Sequence, residues 1–186
     1  MDPRVDRTRE AVLAAVRELL VEEGWDSVTH HRVALHSGVG RTTVYRHWPD
    51  RTELVREAME FELISTRGFA LTGDLRADLI NTLHAIRYEL IEREGARFLI
   101  VMIEKSEFDE SMARLKKILT DRALETLRQV LREATERGEL DAYPSIEDSV
   151  ATLVGPLLMR RLVTHDPIEP NVVARLVDDF IASRCR

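Results

Sequence analysis

The chain has 186 residues and a formal charge of -6 at neutral pH, from 27 Lys+Arg against 33 Asp+Glu. That acidic balance, with a pI near 5.6, excludes a protein that coats nucleic acid by bulk positive charge. With 44% hydrophobic and 32% charged residues the chain is globular rather than disordered, long enough for one large domain or two small ones.

A single cysteine, Cys185, excludes an intrachain disulfide and a Cys-based metal site. The longest apolar runs, such as Phe98 to Ile103, are about one strand long. They fall far short of the roughly 20 residues that cross a bilayer. Charges without an apolar stretch mark the N-terminus, unlike a signal peptide. A cytoplasmic protein with no membrane partner is the expectation.

In chain order, the pattern is helical throughout. Val5, Val12, Ala15, Val16, Leu19 and Leu20 form one stripe of a first amphipathic helix, opened by Asp2-Pro3 and stopped by Gly24. Two very short helical segments follow, His30 to Ser37 and Arg41 to Trp48, separated by Gly38-Val39-Gly40. Longer patterns run from Asp50 to Thr66, Asp74 to Glu94, Ala96 to Glu107, Asp109 to Arg137, Ser145 to Val163 and Glu169 to Arg184. The 8 Gly and 6 Pro sit mostly at the breaks between them, among them Gly68, Gly73, Gly95, Gly138, Pro144, Pro167 and Pro170. An all-α fold with about nine helices is expected.

Composition shifts once, near residue 50, from short helices to long ones. Short helices are unstable alone because nucleation is costly, so these two must pack on the first helix in a three-helix unit. The expected division is an N-terminal domain over residues 1–52 and a larger helical bundle over 53–186.

Between Gly24 and Leu54 the residues read as a helix-turn-helix. Thr29 caps the first short helix, and Val33 with the small Ala34 supplies its buried side. Gly38 falls where the chain turns sharply and favours positive φ, and Val39 plugs the angle between the helices. Arg41, Thr42, Thr43, Tyr45, Arg46 and His47 then follow as hydrogen-bond donors, while Val44 and Trp48, four apart, face inward. Asp50 and Glu53 have the spacing of a capping pair for the next helix. From Ser27 to Arg51 the chain carries Arg32, Arg41, Arg46 and Arg51 against Asp50, a local charge of +3, and four of its six His. Phosphate neutralisation needs positive charge only where the groove is approached, so an acidic remainder is tolerable.

The run Thr29-x3-Val33-Ala34-x3-Gly38-Val39-Gly40-Arg41-Thr42-Thr43-Val44-Tyr45-Arg46-His47-Trp48-x2-Arg51-x2-Leu54 resembles the N-terminal signature of the TetR/AcrR family of transcriptional regulators, over about residues 8 to 55. Two departures are visible: Gly40 stands where the family usually has Ser, and Arg51 replaces the usual Lys. Gly still caps at a cost of a few tenths of a kcal/mol, and Arg keeps the charge. The resemblance implies a recognition helix in the major groove of a double-stranded DNA operator. Arg41 and Thr42 would read base edges, and Thr43, Tyr45, His47 and Arg51 would hold phosphates with Thr29 and His31. Arg46 would serve either role.

Plainer roles fit other residues: Trp48 is a core aromatic, Trp25 a lid on the first helix, and Cys185 a tail residue. His30, His31 and His36 lack a carboxylate or Cys to complete a metal set, and no metal or cofactor is expected.

Beyond residue 55 the stripes describe architecture more than chemistry. A small-molecule effector pocket would be apolar with a few convergent polar groups; His84 and Tyr88, four apart, and Met102 are the candidates. An ordinary core or surface His is the competing reading of His84. There is no Glu-x-x-His pair, His-Glu-x-x-His motif or Gly-rich phosphate loop, so no enzyme is expected.

In the last two helices, Leu153, Leu157, Met159 and Leu162 lie on one apolar surface or beside it, and Val173, Leu176, Val177 and Phe180 lie on another. Two such helices from each of two chains would form a four-helix homodimer interface; the competing reading is an intrachain core, and both can hold in part. Gly155 to Leu162, Pro167 and Leu176-Val177-Asp178 resemble the C-terminal helices of one TetR subgroup, and the dimer role rests on that likeness. Pro156 is expected to bend its helix. The family likeness implies a dimeric repressor released by a small apolar or amphipathic ligand. The alternative is a helical small-molecule-binding protein or enzyme whose N-terminal unit makes protein contacts.

Overall fold

The computed structural model describes residues 3–64, 70–91, 95–141 and 145–184, with side chains from residue 6 to 59 in the first range. Gly68, Pro144, Cys185 and the Val5 side chain, assigned above, lie outside the described residues. Among the described residues there are nine α-helices and no strand. They are α1 Pro3–Glu23, α2 His30–Ser37, α3 Arg41–His47, α4 Arg51–Ile64, α5 Leu75–Ile91, α6 Gly95–Ser106, α7 Glu110–Glu136, α8 Ile146–Leu158 and α9 Pro170–Arg184. The all-α expectation holds.

Two stretches depart from α geometry, the second close to Pro156, where a bend was expected. A 3-10 turn, Trp25–Ser27, follows Gly24, whose φ of 82° stops α1. The Ser27 hydroxyl closes this turn against the Leu19 and Gly24 carbonyls at 2.9 and 2.7 Å. Near the other end, Pro156 sits inside α8, and from Met159 to Thr164 the helix widens to π geometry. Pro supplies no amide to the ladder, and three residues further on the Met159 amide meets both the Gly155 and the Pro156 carbonyl. This wide turn ends on His165 at φ 56°, a left-handed position more often filled by Gly.

The helices form two compact units, one from α1–α4, α6 from Arg97 and α7 to Leu119, the other from α5, α7 from Thr120, α8 and α9. The core of the first contains Val12, Val16, Leu19, Val33, Val44, Leu54 and Ala58, joined by Met102, Met112 and Leu115. The α1 stripe read from the sequence is thus buried, Val12 and Val16 wholly. Burying side chains of this size contributes about 1.5–3 kcal/mol each, which stabilises helices too short to stand alone.

In the second unit the core contains Leu79, Leu83, Leu127, Leu131, Leu153, Leu157, Val173, Val177 and Phe180. Asp74 and Asp78 start α5: the Ala77 amide donates to Asp74 Oδ1 at 2.7 Å, and buried Asp78 takes three further donors. Gly95 opens α6 where a Cβ would lie 2.7 Å from the Glu89 carbonyl oxygen, so no other residue fits without movement.

Five of the residues expected at a dimer interface are buried within the chain itself. Leu153, Leu157, Val173, Val177 and Phe180 are 0–3% exposed and pack within one chain's own core. Spacing places an apolar residue on a face without saying which neighbour covers it. Met159, Leu162 and Leu176 remain accessible.

Candidate nucleic-acid interface

In the first unit, α2, a glycine turn and α3 form the expected helix-turn-helix. Thr29 is extended (φ -108°, ψ 152°), and its hydroxyl oxygen accepts the Arg32 amide at 3.2 Å, satisfying one orphan donor of α2. Gly38 ends α2 in the left-handed region, φ 68°. Val39 leans half-buried on the core, and Gly40 opens α3 without a side-chain cap. Val44 and Trp48, 0% and 5% exposed, anchor α3 inward.

The outward side of α3 carries the donors. Arg41, Thr42, Tyr45, Arg46 and His47 are exposed, and Thr43 is half-buried. The Tyr45 ring stacks on His30 with centroids 4.1 Å apart and planes 11° off parallel. The Arg41 guanidinium lies 5.5 Å from the same ring centroid, a cation-π contact. Tyr45 is thus held by its ring, while 43% of the residue stays open. His31 and Thr29, at the start of α2, are also exposed.

Charge is less generous than the count of +3. Arg32 makes a bidentate pair with Glu23 at 2.7 and 2.5 Å, just outside the counted segment. Those hydrogen bonds hold the exposed Glu23 carboxyl below its usual range. Arg51, expected to hold phosphate, turns toward Trp25. Its Nη2 donates to the Trp25 carbonyl and its guanidinium lies 4.5 Å from the Trp25 ring centroid, while Nε is buried without a partner. An aromatic face and a carbonyl at the neighbouring turn draw the cation inward. Burial lowers its pKa from the ordinary value, Asp26 at 3.9 Å opposing. Arg41 and Arg46 remain the outward cations of α3.

Sequence reasoning missed His30, Arg9 and Glu57 as builders of this surface. His30 is buried, and its Nε2–H donates to the Trp48 carbonyl at 2.6 Å. Its spacing to Val33 and Ala34, three and four residues, was the available signal of an inward position. Glu57 on α4 accepts the Trp48 indole N–H at 2.9 Å and the Arg9 Nε–H at 2.6 Å. Trp25 packs half-buried on the core as a lid.

The expected ligand residues belong to different units. Met102 is 7% exposed and belongs, like Met112, to the core of the first unit. On α5, in the second unit, His84 is half-buried and Tyr88 is 51% exposed. Burial, then the Arg87 charge, lowers the His84 pKa and favours the neutral ring.

Comparison with known proteins agrees with this geometry. Residues 12–58 match the family model for bacterial regulatory proteins of the tetR family, and residues 69–180 match the tetracyclin repressor-like C-terminal domain. A DNA-binding transcriptional repressor TetR of Mycobacteroides abscessus is 30% identical over 179 residues, covering 94% of this chain and 92% of its own. The crystal structure of the TetR family transcription regulator SCO0332 superposes with a TM-score of 0.72 at 31% identity, covering 96% of this chain and 99% of that one. A TetR transcriptional regulator from Agrobacterium tumefaciens shares the fold at 20% identity, with a TM-score of 0.79 over 96% of this chain and 94% of its own.

Proposed function

Because the chain belongs to the TetR family of helix-turn-helix transcriptional regulators, we propose that it is a homodimeric repressor, released from a palindromic operator by a small apolar or amphipathic ligand. The observation that carries the reading is the outward face of α3, where Arg41, Thr42, Tyr45 and Arg46 stand together on a helix anchored by Val44 and Trp48. A rigid donor set of that width suits base edges in the major groove. In this reading Arg41 and Thr42 contact bases. Thr29, His31, Thr43, Tyr45 and His47 hold phosphates, and Arg46 serves either. Arg51 backs Trp25 instead of reaching for the backbone.

A regulator family is not an enzyme family, and among the described residues no helix is long and apolar enough to cross a membrane. The proposed place of action is the cytoplasm, beside the DNA. Dimerisation uses the apolar groups exposed in the π turn after α8, Met159 and Val163, with the half-buried Leu162 and, on α9, Leu176. Two copies would bury these together and set the spacing of the two reading helices. Effector binding falls to the bundle. A cleft between α7, α8 and α9, lined by Leu131, Leu140, Ile146 and Phe180 together with polar groups such as Asp141, Ser149 and Arg184, holds only about 140 Å³. Pockets for drug-sized ligands run to about 300–1,000 Å³, so in this reading a ligand of that size entering this cleft selects an opened bundle.

A gel shift on duplex DNA from directly upstream of the chain's own coding sequence, in low and high salt, tests the reading. Saturable binding with a steep salt slope is expected. Indifference to upstream, shuffled and random duplexes alike would favour a helical binding protein that uses its first unit for protein contacts.

A further inference from the structure

Trp48 ends the recognition helix and is held from two sides. Its carbonyl takes the His30 Nε2–H from α2 at 2.6 Å, and its indole N–H donates to Glu57 Oε2 on α4 at 2.9 Å. Its own amide still closes α3 on the Val44 carbonyl at 2.9 Å. The other Glu57 oxygen is taken by Arg9 of α1 at 2.6 Å, so one carboxylate joins α1, α3 and α4. Burial pushes the Glu57 carboxyl up. The hydrogen bonds from Arg9 and Trp48 and the charges of Arg9 and Arg56 outweigh it, keeping the group below the usual carboxylate range and charged at neutral pH.

We propose that Glu57 is a positioning residue for DNA reading: from α4 it holds the Trp48 indole and so fixes the end of the recognition helix. The inference rests on the DNA-binding reading above. A helix of seven residues has few contacts of its own, and its orientation depends on where its last inward residue is pinned. Val44 pins the middle by packing, which resists rotation poorly. The indole and carbonyl bonds of Trp48 fix both azimuth and tilt at the end. They act at the opposite end of the helix from Arg41 and Thr42, so a small tilt at Trp48 displaces the base-reading groups.

Base-edge contacts and phosphate contacts respond differently to such a tilt. Bidentate base readout tolerates little displacement, whereas Coulombic attraction to phosphate survives it. Loosening the clamp therefore lowers preference for the operator while leaving general DNA affinity nearly intact. Global destabilisation would weaken both together. The clamp also couples α4 to α3, so a displacement of α4 would reach the reading groups through this bond.

The test uses the full chain and a duplex that the wild-type protein enriches from a random-sequence pool, with a shuffled duplex of equal length as reference. Failure to enrich any sequence overturns the DNA-reading premise, and this inference with it. Glu57→Met and Trp48→Phe should each lower the ratio of the two affinities about tenfold, equivalent to about 1.4 kcal/mol. The shuffled-duplex affinity should stay within about twofold. The double variant should be no worse than either single one, as expected for two ends of one bond. Glu57→Gln keeps an oxygen for the indole N–H but gives up the ion pair with Arg9, and should restore the ratio to within about twofold. Circular dichroism and thermal midpoints check that each variant folds; if Glu57→Met does not, Trp48→Phe with Glu57→Gln still decides. Three results overturn the proposal: Glu57→Gln as poor as Glu57→Met, equal weakening on both duplexes, or additive losses in the double variant.

Discussion

Replacing Asp78 by alanine probes the entrance to the second unit. The Asp78 residue is 3% exposed and sits in the first turn of α5. It accepts the Thr72 amide at 2.8 Å, the Thr72 hydroxyl at 2.9 Å and the Gly73 amide at 2.9 Å. Truncation orphans both amides, at about 1–3 kcal/mol for each buried donor, and removes a charge favoured at a helix N-terminus. Thr72 and Gly73 are exposed residues, so water recovers part of the loss. The expected cost is about 2–4 kcal/mol, or about 5–12 °C in Tm for a chain of this size.

The pH dependence of this loss has a definite sign. Burial raises the Asp78 pKa, but the Thr72 and Gly73 hydrogen bonds and the Arg137 charge lower it further, so the folded value lies below the ordinary one. A carboxylate depressed in the folded state contributes stability that is complete above the unfolded pKa, about 3.9, and is lost as pH falls through the folded value. Urea midpoints at pH 7, 5, 4 and 3 would measure it. The gap between wild type and Asp78→Asn, which keeps one acceptor but no charge, should narrow on acidification. A gap constant across that range, or an Ala variant within about 0.5 kcal/mol of wild type, would refute the reasoning.

Arg41→Ala should relax sequence preference at one or two operator positions, whereas Tyr45→Phe should weaken all duplexes alike; affinities across an operator library separate the two. Met159→Glu should shift a dimer to monomer in sedimentation without lowering monomer helicity, because the side chain is 52% exposed. Leu157→Ala, at a wholly buried position, should instead cost about 2–5 kcal/mol by leaving a cavity, read as a lower urea midpoint. His165→Gly should raise stability by about 0.5–1 kcal/mol in thermal melts by relieving the left-handed strain.

Helix breaks, caps and the turn were open to sequence reading because each depends on neighbours a few residues away. Thr29 caps α2 through the Arg32 amide three residues on, and Gly38 turns where the pattern stops. The inward pair Val44 and Trp48 follows from their spacing. The π turn after Pro156 was only half legible. A missing amide foretells disturbance, but not the bonding that replaces it.

Periodicity also marks which residues turn toward apolar company, and the motif from Thr29 to Leu54 marks the reading head. The sequence by itself therefore determined the helices, the helix-turn-helix and the family. Partner choice belonged to the tertiary structure. Arg51 meets the Trp25 carbonyl across 26 residues, and Arg9 meets Glu57 across 48. Leu153, Leu157, Val173, Val177 and Phe180 fall to one chain's own core. No local pattern encodes such pairs, because closing long loops is cheap per added residue and many partners are then within reach. Packing selects one of them. That selection leaves Arg41 and Arg46 outward, ties Arg32 to Glu23, and hands Trp48 to Glu57.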